Sequence, residues 1–368
     1  MKLTCIIHSL NGGGAERVMA GLTSRLQARG HWVTLVTLDD GRNDKHHVSS
    51  DVNRMALDVM RESGSKVSAF INNLGRVQTL RRAIRSSQPD VLLSFCDATN
   101  VLTLLATYGS SFPVIVSERS DPAQQSMTWP WAALRPRLYR RAERVVVLTD
   151  TVANSVAPWC KHPPIVIPSA VDLPSGVSDE PRNARDAKTL LGVGRLEYEK
   201  GFDRLVAAFG NVASKFPTWN LKIVGEGKLR PQLEQQIAAL NLSDRIAFPG
   251  WTRPMGPVYQ AADLFALTSR YEGFPSALLE AMAAGIAVIA VDCESGPRAI
   301  LRNEMDGLLI PNEDQAIQDA ICRCMSDEGL RSQLGIEARA VTSRFGWDAM
   351  VDAYEGVLID VGNRTEIS

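Results

Sequence analysis

Short apolar runs rich in Val, Ile and Leu recur along the chain, separated by longer stretches in which apolar residues fall three and four positions apart. The first kind predicts strands and the second amphipathic helices. In the first half the strands are expected at 3–8, 33–38, 91–94, 114–117, 145–148 and 165–167, with helices at 15–28 and 67–86. In the second half they are expected at 189–193, 221–224, 246–248, 264–267, 288–291 and 308–310, with helices at 202–215, 228–240, 254–262 and 276–284. Runs that are apolar on both faces, alternating with helices, are the pattern of parallel sheets covered on both sides. Between 168 and 186 the rhythm fails among Pro168, Pro174, Gly176 and Pro181, which reads as a linker. Two doubly wound α/β domains follow, at 1–170 and 187–345, joined by 171–186. Facing each other, they would hold ligands at the strand carboxyl ends, in the cleft between them. A last amphipathic helix is expected at 347–359, with Met350, Val351, Tyr354 and Leu358 on one face.

A chain of 368 residues is long enough for two cores. A net charge of −1 gives no global attraction to nucleic acid, and the basic patches match no nucleic-acid-binding motif. The six cysteines lie mostly in apolar surroundings, and Cys322 and Cys324 lack the paired spacing of a zinc site, so reduced thiols are expected. The apolar start is too short for a signal peptide, and no segment approaches the roughly 18 apolar residues of a spanning helix. A cytoplasmic protein is the expectation.

Three segments carry candidate chemistry. Ser9-Leu-Asn-Gly-Gly-Gly-Ala-Glu16 follows the first strand and opens a helix, so Gly13 and Gly14 allow close approach to an anion. It departs from the dinucleotide fingerprint, since Arg17 stands at the third glycine position. A tight strand-to-helix turn is the alternative. Gly194-Arg-Leu-Glu-Tyr-Glu-Lys-Gly201 also sits between strand and helix, where Arg195 can fork onto a phosphate and Lys200 adds a compact charge. In Glu272-Gly-Phe-Pro-Ser-Ala-Leu-Leu-Glu280, a turn leads into a helix for which Ser276 is the expected N-cap, with Glu280 about one turn in. A dipole interaction at the helix start would explain Glu280 but leaves Glu272 unexplained.

With these motifs and the Val-Gly-Glu-Gly run at 224–227, the chain resembles, over its whole length, a retaining glycosyltransferase of family 4 with the two-domain GT-B fold. The resemblance is to enzymes that build bacterial exopolysaccharide or lipid-linked oligosaccharide. It implies that Arg195 and Lys200 bind the diphosphate of a nucleotide sugar, Glu280 the ribose and Glu272 the transferred sugar. Amides around Phe274, Pro275, Ser276 and Ala277 would assist. Gly13 and Gly14 would border the donor from the opposite domain. Gly225 belongs to the same donor set, and uracil would lie near Pro249, Gly250 and Trp251. The helix at about 346–368 would pack back on the first domain. Many relatives place a histidine near the transferred sugar. Here that stretch is Ser117-Glu-Arg-Ser-Asp-Pro122, which makes Glu118 and Arg119 further candidates, with a salt-bridged loop as the alternative.

A departing diphosphate needs positive charge or a metal. No D-x-D triplet or histidine cluster supplies metal ligands, so no metal or other cofactor is expected, and Arg195, Lys200 and the helix start at Ser276 are the candidates. Retention rests on the resemblance alone. Arg76, Arg81, Arg82 and Arg85 mark one helical stretch. Trp129, Trp131, Arg135, Arg137, Tyr139, Arg140, Arg141 and Arg144 crowd another. Such interleaving suits a lipid-linked acceptor or the anionic inner face of a cell membrane, with Arg137, Arg140 and Arg141 as the contacts. Ordinary solvated faces are the alternative. A sugar-nucleotide epimerase on the same fold and a non-catalytic donor-binding subunit are the competing functions.

Overall fold

The apolar runs become strands, and every strand pairs parallel to its neighbours. A computed structural model describes residues 1–60, 66–123, 127, 129–177, 187–293 and 295–365. Within it the chain forms two units, Met1–Ser169 with Asp348–Ser368, and Ala170–Trp347. Part of the expected linker, 178–186, lies outside the described residues. Residues ahead of it belong to the second unit, where Val171 is buried and its N–H donates to the Phe345 carbonyl at 2.9 Å.

The first unit holds β1 (Lys2–Ile7), β2 (Trp32–Thr37), β3 (Asn53–Ala56), β4 (Val91–Phe95), β5 (Val114–Ser117), β6 (Arg144–Val147) and β7 (Ile165–Val166), in the order β3-β2-β1-β4-β5-β6-β7. The second holds β8 (Lys188–Val193), β9 (Trp219–Val224), β10 (Ile246–Gly250), β11 (Leu264–Leu267), β12 (Ala287–Val291) and β13 (Leu308–Ile310), ordered β10-β9-β8-β11-β12-β13. Both are doubly wound α/β sheets, as expected. β4, β5, β11 and β12 are buried throughout, which explains their predominantly apolar sequences, broken only by Ser94 and Ser117. β3 escapes sequence reading because it is an outer strand with half-exposed residues and no apolar alternation.

The strand order reverses between β1 and β4, and again between β8 and β11. In doubly wound sheets the loops diverge at such points and leave a crevice at the strand carboxyl ends. The glycine-rich loop follows β1. The two loops carrying Arg195 with Lys200 and Glu272 follow β8 and β11. The three motif segments therefore stand at the two places where topology opens each sheet.

The helix Trp347–Thr365 completes the first unit. Its expected apolar face is buried at Met350, Val351, Tyr354 and Leu358. Polar contacts fix it along its length: Arg29 Nη1 donates to Asp352 and Glu355 at 2.6 Å each, His31 Nε2 lies 2.7 Å from Glu355, and Arg144 Nη2 donates to Asp360 at 3.0 Å. Leu358 is 0% exposed, so Leu358→Ala removes a fully packed side chain. The substitution is expected to cost about 2–5 kcal/mol, read from urea denaturation.

Candidate active site

The loop after β8 is built by backbone packing. Gly194 and Leu196 N–H groups donate to the Val224 and Glu226 carbonyls at 3.0 and 2.9 Å, which joins this loop to the one after β9. Gly225 takes φ +149°, and a side chain there would run into the Gly194 carbonyl. A short 3₁₀ turn, Tyr198–Lys200, then passes through Gly201 into the helix Phe202–Val212. Gly201 is left-handed at φ +63°, and a Cβ there would collide with the Thr268 carbonyl. The Thr268 hydroxyl donates to the Gly201 carbonyl at 2.9 Å. Only glycine permits this approach of the loop after β8 to the loop after β11.

Arg270 clasps the same turn. Its N–H donates to the Glu199 carbonyl at 2.8 Å, and its Nη1 to the Tyr198 carbonyl at 2.8 Å. Its two terminal nitrogens fork onto Asp203 at 2.9 and 2.6 Å, while the guanidinium lies 4.1 Å from the Tyr198 ring centroid. The hydrogen bond from Arg270 holds the Asp203 carboxyl below its ordinary range, against partial burial.

Within this frame Lys200 Nζ donates to Glu272 Oε1 at 2.7 Å, and the Ser269 hydroxyl donates to the same oxygen at 2.7 Å. Glu272 Oε2 has no hydrogen-bond partner among the described residues. Glu272 is 8% exposed and Arg195 is 72% exposed at its side chain, where it donates to Glu199 at 2.9 Å. The structure thus joins Lys200 to Glu272 and places Arg195 on the same loop.

The helix Ser276–Ala283 follows, rich in the strong helix formers Ala, Leu and Met. Pro275, extended at φ −73° and ψ 102°, occupies its cap position. Ser276 is therefore the first helical residue and not the N-cap, and among the described residues no side chain caps the first-turn N–H groups. Phe274 is buried edge-on against Phe345, with centroids 5.6 Å apart, and Gly296 N–H reaches the Glu272 carbonyl at 3.3 Å. Glu280 accepts from the hydroxyl of Tyr259 at 2.9 Å. Gly250 is left-handed at φ +82°, and Trp251 beside it is 44% exposed.

In the first unit Gly13 is the extended cap of the helix Gly14–Ala28. The Glu16 carboxylate folds into the space a Gly13 side chain would fill and pairs with His8 Nε2 at 3.1 Å. Burial pushes Glu16 up, but the hydrogen bond and charge of His8 outweigh it and leave the carboxyl below its ordinary range. Cys96, at the end of β4, holds φ +72°, an uncommon conformation for a residue with a side chain.

Glu118 lies in the interior and not at a surface a substrate could reach. It is 0% exposed, pairs with buried Arg135, and accepts from the Tyr139 hydroxyl at 2.7 Å and the Ser120 hydroxyl at 3.2 Å. Burial pushes its carboxyl up, with Arg135 and Tyr139 opposing. Arg119 Nη2 donates to Ser169 at 2.6 Å and Nη1 to Tyr354 at 3.4 Å, with its guanidinium 4.8 Å from the Phe95 ring. Of the alternatives for this loop, the salt-bridged one describes Glu118.

The basic and aromatic cluster also divides. Arg135 and Tyr139 are core, Trp131 packs against the core, and Arg144 binds Asp360. Arg76 and Arg81 donate to the carbonyls of Val59 and Ala106 at 2.9 and 2.8 Å. Arg82, Arg85, Arg137, Arg140 and Arg141 are exposed, and Arg141 lies 4.3 Å from the Tyr108 ring centroid. The Trp129 side chain lies outside the described residues.

The six cysteines are free thiols, and burial pushes Cys5, Cys293 and Cys324 up to about 12. Among the described residues no three His, Cys, Asp or Glu side chains are grouped to hold a metal ion, and no helix is long and apolar enough to cross a membrane.

The family model for Glycosyltransferase Family 4 matches residues 12–174, and that for Glycosyl transferases group 1 matches residues 178–341. Among solved structures, a sucrose-phosphate synthase from Thermosynechococcus elongatus superposes with a TM-score of 0.83 at 21% identity, covering 97% of this chain and 98% of that one. Anabaena HepE in complex with UDP and glucose gives 0.78 at 20%, covering 97% and 99%. A Campylobacter jejuni enzyme named GalNAc-alpha-(1->4)-GalNAc-alpha-(1->3)-diNAcBac-PP-undecaprenol alpha-1,4-N-acetyl-D-galactosaminyltransferase is 24% identical, covering 99% of both chains. An amylovoran biosynthesis glycosyltransferase of Erwinia amylovora is 25% identical, covering 97% of this chain and 99% of its own. An exopolysaccharide phosphotransferase of Streptomyces coelicolor is 29% identical over 78% of this chain, which spans only 30% of that longer protein. The fold is that of a GT-B glycosyltransferase. More narrowly, the chain belongs to the glycosyltransferases whose first half is of family 4 and whose second half is of group 1.

The Arg270–Asp203 clasp generates a pH-dependent prediction. Because the folded pKa of Asp203 is depressed, its contribution is complete above the unfolded value, near 3.9, and is lost as pH falls through the lower folded value. Arg270→Ala should therefore lower the melting temperature by a constant amount between about pH 5 and 8. The difference should shrink below about pH 4. Thermal denaturation of both proteins across pH checks this.

Proposed function

We propose that this enzyme transfers a sugar, with retention of anomeric configuration, from a UDP-sugar to a lipid-linked glycan in bacterial surface polysaccharide or oligosaccharide assembly. The observation that carries the reading is the shared oxygen of Glu272. Its Oε1 is taken by Lys200 and Ser269, which orients the carboxylate and turns Oε2 toward a hydroxyl-bearing ligand beside a fixed cation. Lys200, Arg195 and the uncapped amides at Ser276 and Ala277 then stabilise the diphosphate as the sugar bond breaks, without a metal. Glu272 holds the transferred sugar and Glu280 the ribose, while Gly225 and Gly250 let backbone approach the nucleotide.

The names of the relatives support the acceptor class, since the Campylobacter enzyme is named for an undecaprenol diphosphate-linked glycan and the Erwinia enzyme for amylovoran. Exposed Arg137, Arg140 and Arg141 suit an anionic membrane surface, worth about 1 kcal/mol per arginine near it.

Lys200→Ala is expected to lower the transfer rate by about a hundred- to a thousand-fold, the scale of losing one preorganised charge donor. EDTA should leave the wild-type rate unchanged; strong inhibition would overturn the metal-free reading. Both are measured as UDP release from UDP-sugars with an undecaprenol diphosphate-linked acceptor. Sugar turnover that proceeds equally without acceptor would favour an epimerase. Arg140→Glu with Arg141→Glu should reduce flotation with anionic liposomes, and unchanged flotation would remove the membrane contact from the proposal.

A further inference from the structure

Tyr259 has no role in the function proposed above, yet its hydroxyl ends on Glu280. The residue is 0% exposed and sits in the short helix Gly256–Gln260, immediately before β11. Its backbone is anchored, with N–H donating to the Met255 carbonyl at 3.0 Å and the Ala262 N–H donating to its carbonyl at 3.1 Å. A buried phenol must find an acceptor, and a backbone carbonyl would serve. Here a hydroxyl bond goes to a side-chain carboxylate, Glu280 Oε2, at 2.9 Å.

Glu280 needs such a partner. The helix around it fixes its Cα, because Leu278, Leu279, Ala281 and Met282 are all buried, but helix packing does not fix the three torsions of a glutamate side chain. A hydrogen bond from a fully packed ring pins one carboxylate oxygen and thereby the plane in which the other is presented. Phenylalanine would fill the same core space without that hydrogen bond.

We infer that Tyr259 is a positioning residue of the nucleotide site: it aims the Glu280 carboxylate at the ribose hydroxyls and so helps the enzyme select a ribonucleotide donor. The inference rests on the proposed assignment of Glu280 to the ribose. It predicts that loss of one phenolic oxygen, buried behind the carboxylate, weakens binding only through the hydroxyls of the sugar ring of the nucleotide.

The test is isothermal titration of UDP, GDP and ADP, each beside its 2′,3′-dideoxy analogue, into wild type, Tyr259→Phe, Glu280→Ala and the double variant. The wild type should prefer the ribonucleotide. Tyr259→Phe should weaken it about ten-fold, the scale of one hydrogen bond to a charged group, while the dideoxy affinity stays near wild type. In the Glu280→Ala background Tyr259→Phe should cost nothing further. Each preference is a ratio taken on one sample, so a loss of folded protein cancels. If Glu280→Ala abolishes the preference and Tyr259→Phe leaves it at the wild-type value, the positioning role is overturned and the donor site stands. If Glu280→Ala keeps the preference, or none of the three nucleotides binds, the ribose assignment itself falls and the inference with it.

Discussion

The contact of Gly201 with Thr268 is the constraint on which the candidate site depends. Two loops leave the sheet where the strand order reverses between β8 and β11, and topology alone would let them diverge. A left-handed glycine and a hydrogen bond from the Thr268 hydroxyl to its carbonyl bring them together instead. Lys200 stands one residue before that contact, and Ser269 and Glu272 follow closely on the other side. The ion pair between Lys200 and Glu272 is therefore the outcome of backbone packing, and the Arg270 clasp holds the same turn from its outer side.

Much of this was legible because the motifs are local. Strand ends and glycines at fixed spacing place Arg195, Lys200, Glu272 and Glu280 on loops and helix starts without any tertiary information. The apolar face of the helix Trp347–Thr365 was readable for the same reason, since one face of one helix carries all four residues. What stayed hidden was long-range. Tyr259 reads as a core aromatic until its hydroxyl is seen on Glu280, and Arg270 reads as a surface charge until its partners at 198, 199 and 203 come into place. The Ser276 cap failed for a short-range reason: Pro275 takes the extended flanking position, which moves the serine into the helix.

The first unit shows the opposite error, charge read as surface when it is interior. Arg135 is spaced among other arginines like a solvated residue, yet it is buried beside Glu118 and close to the Tyr139 and Trp159 rings. Such a pair gives little net stability, because desolvation offsets the attraction, but removing either partner leaves a buried charge alone. It ties the segment after β5 to Arg135 and Tyr139, and the next residue, Arg119, bonds to Ser169 and Tyr354.

That the first unit includes Asp348–Ser368 separates its beginning from its completion during synthesis. Residues 170–347 are all available before the helix that covers the first sheet has been translated. The first unit, although begun earlier, must wait on the ribosome with its seat for Tyr354 and Leu358 uncovered. Domains generally fold as units as they emerge. Here the first unit cannot close on that schedule, because its seat for Tyr354 and Leu358 is filled only after residues 170–347 have been made.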